Sequence, residues 1–546
     1  MQGSPVLKRR ISIGARWILW FLLGAATVGI GVLLLSKAWM LLQGDRTSDA
    51  YIYWQMGRAI LNGRRPYADI FESKPPGIFL LSALSFAVTG GPLLGYILNA
   101  LIMLAVPLLL ILAVQSQLSR VSTDRRRMPL VLAGLFGGLL SLYMGSHANG
   151  WQNEFYGAFF GIVYVVSIVR DQHAPSRASL AGATIGMLGS IGFKEPFFLL
   201  LVASALLLLK PSISSWWRLF LLPLLLSAAI GFIGLVLLGS QAAYFTVYLR
   251  SMLGQYIVRY DPLWYRAVNP LHILESLTAF SPLLLLLIGV LIVLACFPNE
   301  DHGARKGGAW VHYVLRPSSV AIALMLSNLA VGIGGDYQMH HFVFAVPLYA
   351  ALFVSVHRLL FGVDGGRGKA LAGSLALLVA LTCLTTPVSA FVGSDAAGRV
   401  RALRAEEATL KRDAHWLDAL LDRCGIQRYF SLKAPPVFAF TRHSPENFFT
   451  SSIEHLTRYH TAIGTRGIDH FMTAQILVLG PSGYQPDPAS AQERAFGLII
   501  QSIIDRYFTA EPTDCVRAAP VPGYTILLRR PGMQMDIPSA AHGTDE

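Results

Sequence analysis

Charge is what this chain has least of. Only 14% of its 546 residues are Asp, Glu, Lys or Arg, against 54% hydrophobic, whereas soluble domains carry roughly 25% charged residues. With a mean hydropathy of +0.52, that shortage excludes an ordinary soluble protein and implies a polytopic membrane protein. Cysteine is scarce too, at four residues, and no spacing among them suggests a zinc site. Cys296 and Cys383 fall in apolar spans, where a thiol acts as a small hydrophobe. Cys424 and Cys515 lie in a polar tail and are expected to pair if that tail faces an oxidising compartment. Acidic residues are the scarcer sign, 31 against 44 basic, for a net charge of +13. The basic excess is scattered through short loops, so it reads as a topology signal and not as a nucleic-acid footprint. Internal repeats and low-complexity tracts are missing as well.

What is there, above all, is apolar length. Runs of about 20 apolar residues, enough to cross a bilayer, occur near 17–40, 93–118, 129–146, 153–169, 178–194, 196–214, 218–239, 279–297, 318–335, 341–358 and 370–392. The first follows Lys8, Arg9, Arg10 and Arg16 and is too long for a signal-peptide core, so it reads as an uncleaved span with a cytoplasmic N-terminus. Eleven crossings then place the tail outside. Loops and span ends assigned to the inside hold eighteen Lys and Arg, the outer ones before the tail ten, in keeping with the positive-inside rule.

This topology sends the loop Gly44–Gly77 to the outer face. It holds Asp45, Asp49, Asp69 and Glu72 among Arg46, Arg58, Arg64, Arg65 and Lys74, and a dense polar loop beside a span is a place to look for function. Ser48 to Asn62 predicts an interfacial helix with Ser48 as N-cap and Gly63 at its end. Pro75 to Gly90 has an apolar core of about 14 residues, too short to cross, and predicts a second such helix.

From about Ser394 the pattern changes. Helical periodicity covers 396–423 and 491–508, and short apolar runs at Gln427–Leu432, Gln475–Gly480 and Tyr524–Leu528 read as strands. The expected organisation is a membrane domain at 1–392, a small α/β extracytoplasmic domain at 393–532 and a disordered tail at 533–546.

Polar groups recur where spans end on the outer side. Asp49 falls in the first turn of the predicted loop helix, Glu154 follows GSHANGWQN, Lys194 and Glu195 stand in GFKEP, and Asp336, His340 and His341 occur in GGDYQMHHF. Each alone reads as an interface residue satisfied by its surroundings. Four clusters on one face read as one site assembled from several loops.

SDAYIYWQMGRAILNG, RRPYADIFESKPPG, WQNEFYGAFF, FKEPFFLLL and YQMHHFVFAVPL together resemble the GT-C superfamily of membrane glycosyltransferases. The nearest pattern is that of the protein mannosyltransferase and aminoarabinose transferase group. The resemblance covers roughly 17–392, with one departure: the family's frequent Asp-Glu pair in the first loop is Asp49-Ala50 here. It implies sugar transfer from a polyprenyl-phosphate carrier to an acceptor glycan, lipid or protein at the outer face of a bacterial inner (plasma) membrane. Asp49 is then the general base on the acceptor hydroxyl. Lys74, Lys194, Arg64, Arg65, His340 and His341 are the groups that meet the lipid phosphate, and Tyr67 and Asp69 belong to the matching G-x-x-PY-x-D stretch. Glu154 orients the donor sugar or holds a divalent metal with a histidine; no cofactor is otherwise implied. Arg64 and Arg65 also read as plain interface charges. The competing readings are a transporter or flippase for a lipid-linked or anionic substrate, and a structural subunit whose working part is the outer domain.

Overall fold

The computed structural model describes residues 5–47, 49–118, 123–148, 150–210, 212–256, 262–269, 286–292, 317–333, 339–361, 366–385, 395–426, 429–431, 436–443, 445–446, 471, 473–474, 476–479, 491–509 and 525–530. They are mostly helical. Helices α1 (Pro5–Leu42), α2 (Asp49–Leu61), α3 (Pro76–Thr89), α4 (Leu93–Gln117), α5 (Thr123–His147), α6 (Asn153–His173), α7 (Arg177–Phe193) and α8 (Phe197–Leu208) follow in order. A further helix, α9 (Ile213–Leu237), contains a π-helical stretch at Trp217–Leu221, and two more follow at Tyr244–Leu249 and Met252–Tyr256. Then come α10 (Leu263–Val268), α11 (Pro317–Gly332), α12 (Val346–Phe361), α13 (Gly366–Thr385) and α14 (Ala396–Arg423).

Among the described residues, Trp17–Leu42, Leu93–Gln117, Arg126–His147, Ile213–Leu237 and His340–Arg358 are long and apolar enough to cross a membrane, and the chain is a multi-pass membrane protein. Pro76–Thr89, Phe197–Leu208, Ser318–Gly332 and Ala372–Thr385 are shorter apolar helices. The expected crossings at 153–169 and 178–194 form α6 and α7, which start and stop within a few residues of the predicted limits.

Two compact units divide the chain, and neither is contiguous in sequence. The first comprises Met1–Arg46, Tyr96–Gly231 and Tyr260–Val400; the second comprises Thr47–Gly95, Phe232–Arg259 and Arg401–Glu546. Cα proximity thus groups the first loop with the tail, across the 392/393 boundary read from the sequence.

In the first unit, glycines set how closely helices approach. A Cβ on Gly186 of α7 would lie 2.6 Å from the Tyr164 backbone nitrogen and 2.8 Å from the Phe160 carbonyl oxygen of α6. Small residues at helix contacts are how apolar helices pack in lipid, where there is no hydrophobic drive to bring them together. Gly186→Ala is expected to lower the melting temperature by the equivalent of about 1–3 kcal/mol, because backbone atoms cannot step aside. Gly192→Ala, where a Cβ would meet nothing within 4 Å, is the control and should be neutral. Equal melting temperatures for the two variants would show that the α6–α7 contact tolerates a methyl group.

A buried ionic knot closes the end of α1. Lys37 Nζ donates to Asp45 Oδ2 at 2.9 Å, and both side chains are almost wholly enclosed. Arg399, at the start of α14, donates from Nε to the other oxygen at 3.2 Å. Next in the chain, Arg46 donates to the Tyr96 hydroxyl at 3.2 Å and forms a parallel bridge with Gly150. A Cβ at Gly150 would lie 2.8 Å from the Asp45 carbonyl oxygen, so only glycine lets the strand-like pairing close there.

The second unit encloses the loop helices more than the sequence suggests. α2 spans the range expected, but eight of its 13 residues are buried, including Tyr51, Tyr53 and Trp54. The helix is thus largely buried within its own unit. Its Trp54 meets Phe86 of α3 and, at 5.7 Å and edge-on, Phe440 of the tail. Asn62 at its end donates to the Arg442 carbonyl at 3.0 Å. A Cβ on Gly57 would run into Ser82 of α3 at 2.6 Å, which again sets a close helix crossing.

In the tail, strands β1 (Ile476–Leu479), β2 (Phe508–Thr509) and β3 (Thr525–Arg529) form an antiparallel sheet in the order β1-β3-β2, with α15 (Ala491–Tyr507) leading into β2. Of the strand expected at Gln427–Leu432, the described residues contribute a single bridge, Phe430 to Leu477. Cys424 is disulfide-bonded; Cys515, its expected partner, lies outside the described residues, as do Cys296, Ser48, Asp336 and the stretch 533–546.

Candidate functional site

The predicted site residues fall into two groups, one in each unit. In the first unit, the chain reaches Glu154 through a backbone turn that is costly to make. Trp151 is fully buried with φ 70, a left-handed conformation that costs a non-glycine residue about 1–3 kcal/mol and gathers at functional sites. Gln152 then starts α6 with no side-chain cap, and Glu154 stands in the first turn, where the positive end of the helix favours a carboxylate.

Lys194 caps the C-terminal end of α7. Its Nζ lies 3.1 Å from Glu154 Oε1, and the two side chains are 11% and 2% exposed. The turn Lys194–Glu195–Pro196 feeds directly into α8. His340 and His341 occupy a 3-10 turn, Met339–Ala345, that runs into α12. One ligand atom each from Glu154, His340 and His341 lies within 4.8 Å of the others. Phe344, stacked on the His341 ring at 5.8 Å, meets Phe197 of α8 edge-on at 4.8 Å and so braces the turn.

Two imidazole nitrogens and one carboxylate oxygen form a donor set suited to a divalent transition metal, and magnesium, which prefers oxygen, is the poorer match. Lys194 engages Oε1 of Glu154, and one carboxylate oxygen of Glu154 stands within reach of both histidines. A lysine paired with a carboxylate orients it, as outer partners of metal ligands commonly do. The residues fit such an ion.

The second group lies in and after α2. Asp49 opens that helix and is half-buried. Arg64 donates to the carbonyls of Asp69 and Pro445, and burial pulls its guanidinium down to about 10 despite the attraction of Asp69 and Glu446. Arg65 forms an exposed ion pair with Asp69 at 2.8 Å, and its hydrogen bonds hold the Asp69 carboxyl below the usual range. These engagements show how Arg64, Arg65 and Asp69 build the turn, whatever else they bind.

Tyr67 is the strained residue of this group, fully buried at φ 63. Its ring packs against Tyr248 at 4.7 Å and Tyr244 at 5.6 Å, both from a π-helical segment. Its hydroxyl donates to the Lys74 carbonyl at 2.7 Å. The tyrosine therefore fixes the backbone of Lys74 at the entry to the two prolines that start α3.

Four residues that matter here are not singled out by the sequence: Lys37, Asp45, Arg46 and Asn153. Lys37 reads as a charge at a span end, and Asp45 and Arg46 as loop charges, until α1 and the Gly150 segment bring them together. Asn153 gives a weaker signal still. Only its position beside Glu154 in WQNEF could draw attention to it.

No family model matches this chain, and no curated protein matches it. Among solved structures, it is similar to the crystal structure of ArnT from Cupriavidus metallidurans bound to undecaprenyl phosphate, at a TM-score of 0.47 and 13% identity, covering 93% of this chain and 98% of that one.

Proposed function

We propose that this protein is an integral membrane glycosyltransferase that moves a sugar from a polyprenyl-phosphate-linked donor to an acceptor at the outer face of a bacterial inner membrane. The observation that carries the reading is the enclosed cluster of Glu154, Lys194, His340 and His341. It stands in a multi-pass chain whose first loop has the Asp49 to KPPG pattern of such transferases. A carboxylate, an ammonium and two imidazoles gathered at the ends of apolar helices suit an anionic lipid headgroup. The disulfide at Cys424 supports an oxidising, extracytoplasmic setting for the tail.

In this reading Asp49 takes the proton from the acceptor hydroxyl as its oxygen attacks the anomeric carbon. The bond from that carbon to the phosphate oxygen breaks, and the polyprenyl phosphate leaves with the electron pair. Negative charge grows on the phosphate, and pre-placed cations lower the barrier because they need no reorganisation at that moment. Lys194 and Lys74 are the cations, with His340 and His341 as further donors. A divalent ion on Glu154, His340 and His341 would supply Lewis-acid stabilisation of a phosphate oxygen. Tyr67 sets the Lys74 backbone, and Arg64, Arg65 and Asp69 hold the turn between them.

Reconstitution into vesicles with a polyprenyl phosphate bearing a radiolabelled sugar tests the reading. Label should move from the lipid to an acceptor, and Asp49→Asn should slow that movement. Label crossing the bilayer on an intact lipid would make the protein a transporter. Wild-type transfer by a stably expressed Asp49→Asn variant would remove Asp49 as the base.

A further inference from the structure

Asn153 is fully buried, and among the described residues neither its Oδ1 nor its Nδ2 has a hydrogen-bond partner. Buried carboxamides without partners are rare in folded proteins, because each unsatisfied donor or acceptor forfeits its hydration with no return. A bound ligand or an ordered water would satisfy this one.

Its place in the fold says where. Asn153, Gly157 and Gly161 recur every four residues and so lie along one face of α6. A Cβ on Gly157 would run into the Phe197 ring of α8, and one on Gly161 into Pro347 of α12. The stripe therefore abuts the helices that begin just after Lys194 and just after His341. Asn153 stands at the N-terminal end of that stripe, in the same first turn of α6 as Glu154. A second carboxamide contributes to the same first turn: Asn99 accepts from the Tyr156 hydroxyl through Oδ1, while among the described residues its buried Nδ2 has no partner.

The chemistry of the group narrows the ligand. A phosphate oxygen only accepts and would leave Oδ1 unsatisfied, while a cation only binds Oδ1 and would leave Nδ2 unsatisfied. A hydroxyl donates and accepts, so an adjacent hydroxyl pair matches the carboxamide at both atoms. We propose that Asn153 recognises the transferred sugar: its carboxamide hydrogen-bonds a pair of hydroxyls on the glycosyl group whose phosphate meets Lys194 and the two histidines. This rests on the transferase reading and assigns within it a residue that selects the sugar and does not bind the lipid. The glycosyl group enters past His340, the half-exposed member of the cluster.

The test compares thermal stabilisation of full-length wild type and Asn153→Leu by undecaprenyl phosphate and by undecaprenyl phosphate bearing glucose, mannose or arabinose. Three results are expected. Ligand-free Asn153→Leu melts no lower than wild type, since an apolar isostere removes an unsatisfied polar group. Bare undecaprenyl phosphate stabilises both proteins alike. At least one sugar-bearing lipid binds wild type more tightly than the bare lipid does, and Asn153→Leu weakens that binding by about 5- to 100-fold. A sugar increment that survives intact in Asn153→Leu overturns the proposal and assigns the carboxamide to ordered water, with the transferase reading untouched. A lower melting temperature for ligand-free Asn153→Leu also overturns it, because the amide is then structural. Failure of wild type to respond to any of these lipids would instead count against the transferase reading itself.

Discussion

Asp45→Leu is expected to destabilise the first unit by about 3–5 kcal/mol, the usual cost of removing one partner from a buried ion pair. The size follows from burial. Asp45 is fully enclosed and the Lys37 side chain is 2% exposed, so the lysine ammonium would lose its counter-charge where water cannot replace it. Arg399 is 44% exposed and can turn to solvent, so it contributes little to the loss. The double variant Lys37→Met, Asp45→Leu should recover most of the stability, since apolar residues of similar volume commonly replace a buried pair without penalty. Thermal melts of the three proteins in detergent decide the matter. A single variant that melts like wild type would mean that Lys37 finds water or another anion, and the knot would not hold the end of α1.

The second large effect is on activity. Glu154→Gln should reduce sugar transfer by about 100- to 1,000-fold, the scale set by removing one group that stabilises developing charge. Glutamine keeps the shape and can still accept from Lys194, but it takes away the charge that holds the ammonium and any ion on His340 and His341. Because Glu154 and Lys194 are both enclosed, the variant should also melt lower. Adding Lys194→Met should restore stability without restoring transfer. That split separates the two roles: recovery of transfer in the double variant would make the pair structural. Metal analysis of the purified protein reads the remaining point. Divalent metal retained by wild type and lost in Glu154→Gln supports the three-ligand centre, whereas equal metal in both removes Glu154 as a ligand.

Much of this protein is legible in its sequence. Apolar runs separated by short polar loops dictate spanning helices, since a backbone in lipid must satisfy its own hydrogen bonds. The limits of α2, α3 and α14 agree with the expected ones to within a residue or two, because Gly63, Pro75–Pro76 and the charged repeat after Asp395 are strong local signals. The strand at Gln427–Leu432 reads less well. A short apolar run is ambiguous, and its pairing partner comes from far along the chain. The candidate site is legible as residue types at expected span ends, which is why Glu154, Lys194, His340 and His341 all stand out.

What the sequence by itself determined is the class of molecule and the inventory of candidate polar groups, both of which follow from local composition and period. The tertiary structure decided which of those groups meet. Glu154, Lys194 and the two histidines share one cluster, while Arg64, Arg65 and Asp69 are spent largely on their own turn. It also placed α2 under the tail instead of leaving it open. The division has one physical cause. Helix formation and membrane insertion depend on neighbours a few residues away, whereas burial, pairing and an unsatisfied Asn153 depend on segments far apart in the chain. Only packing brings those segments together.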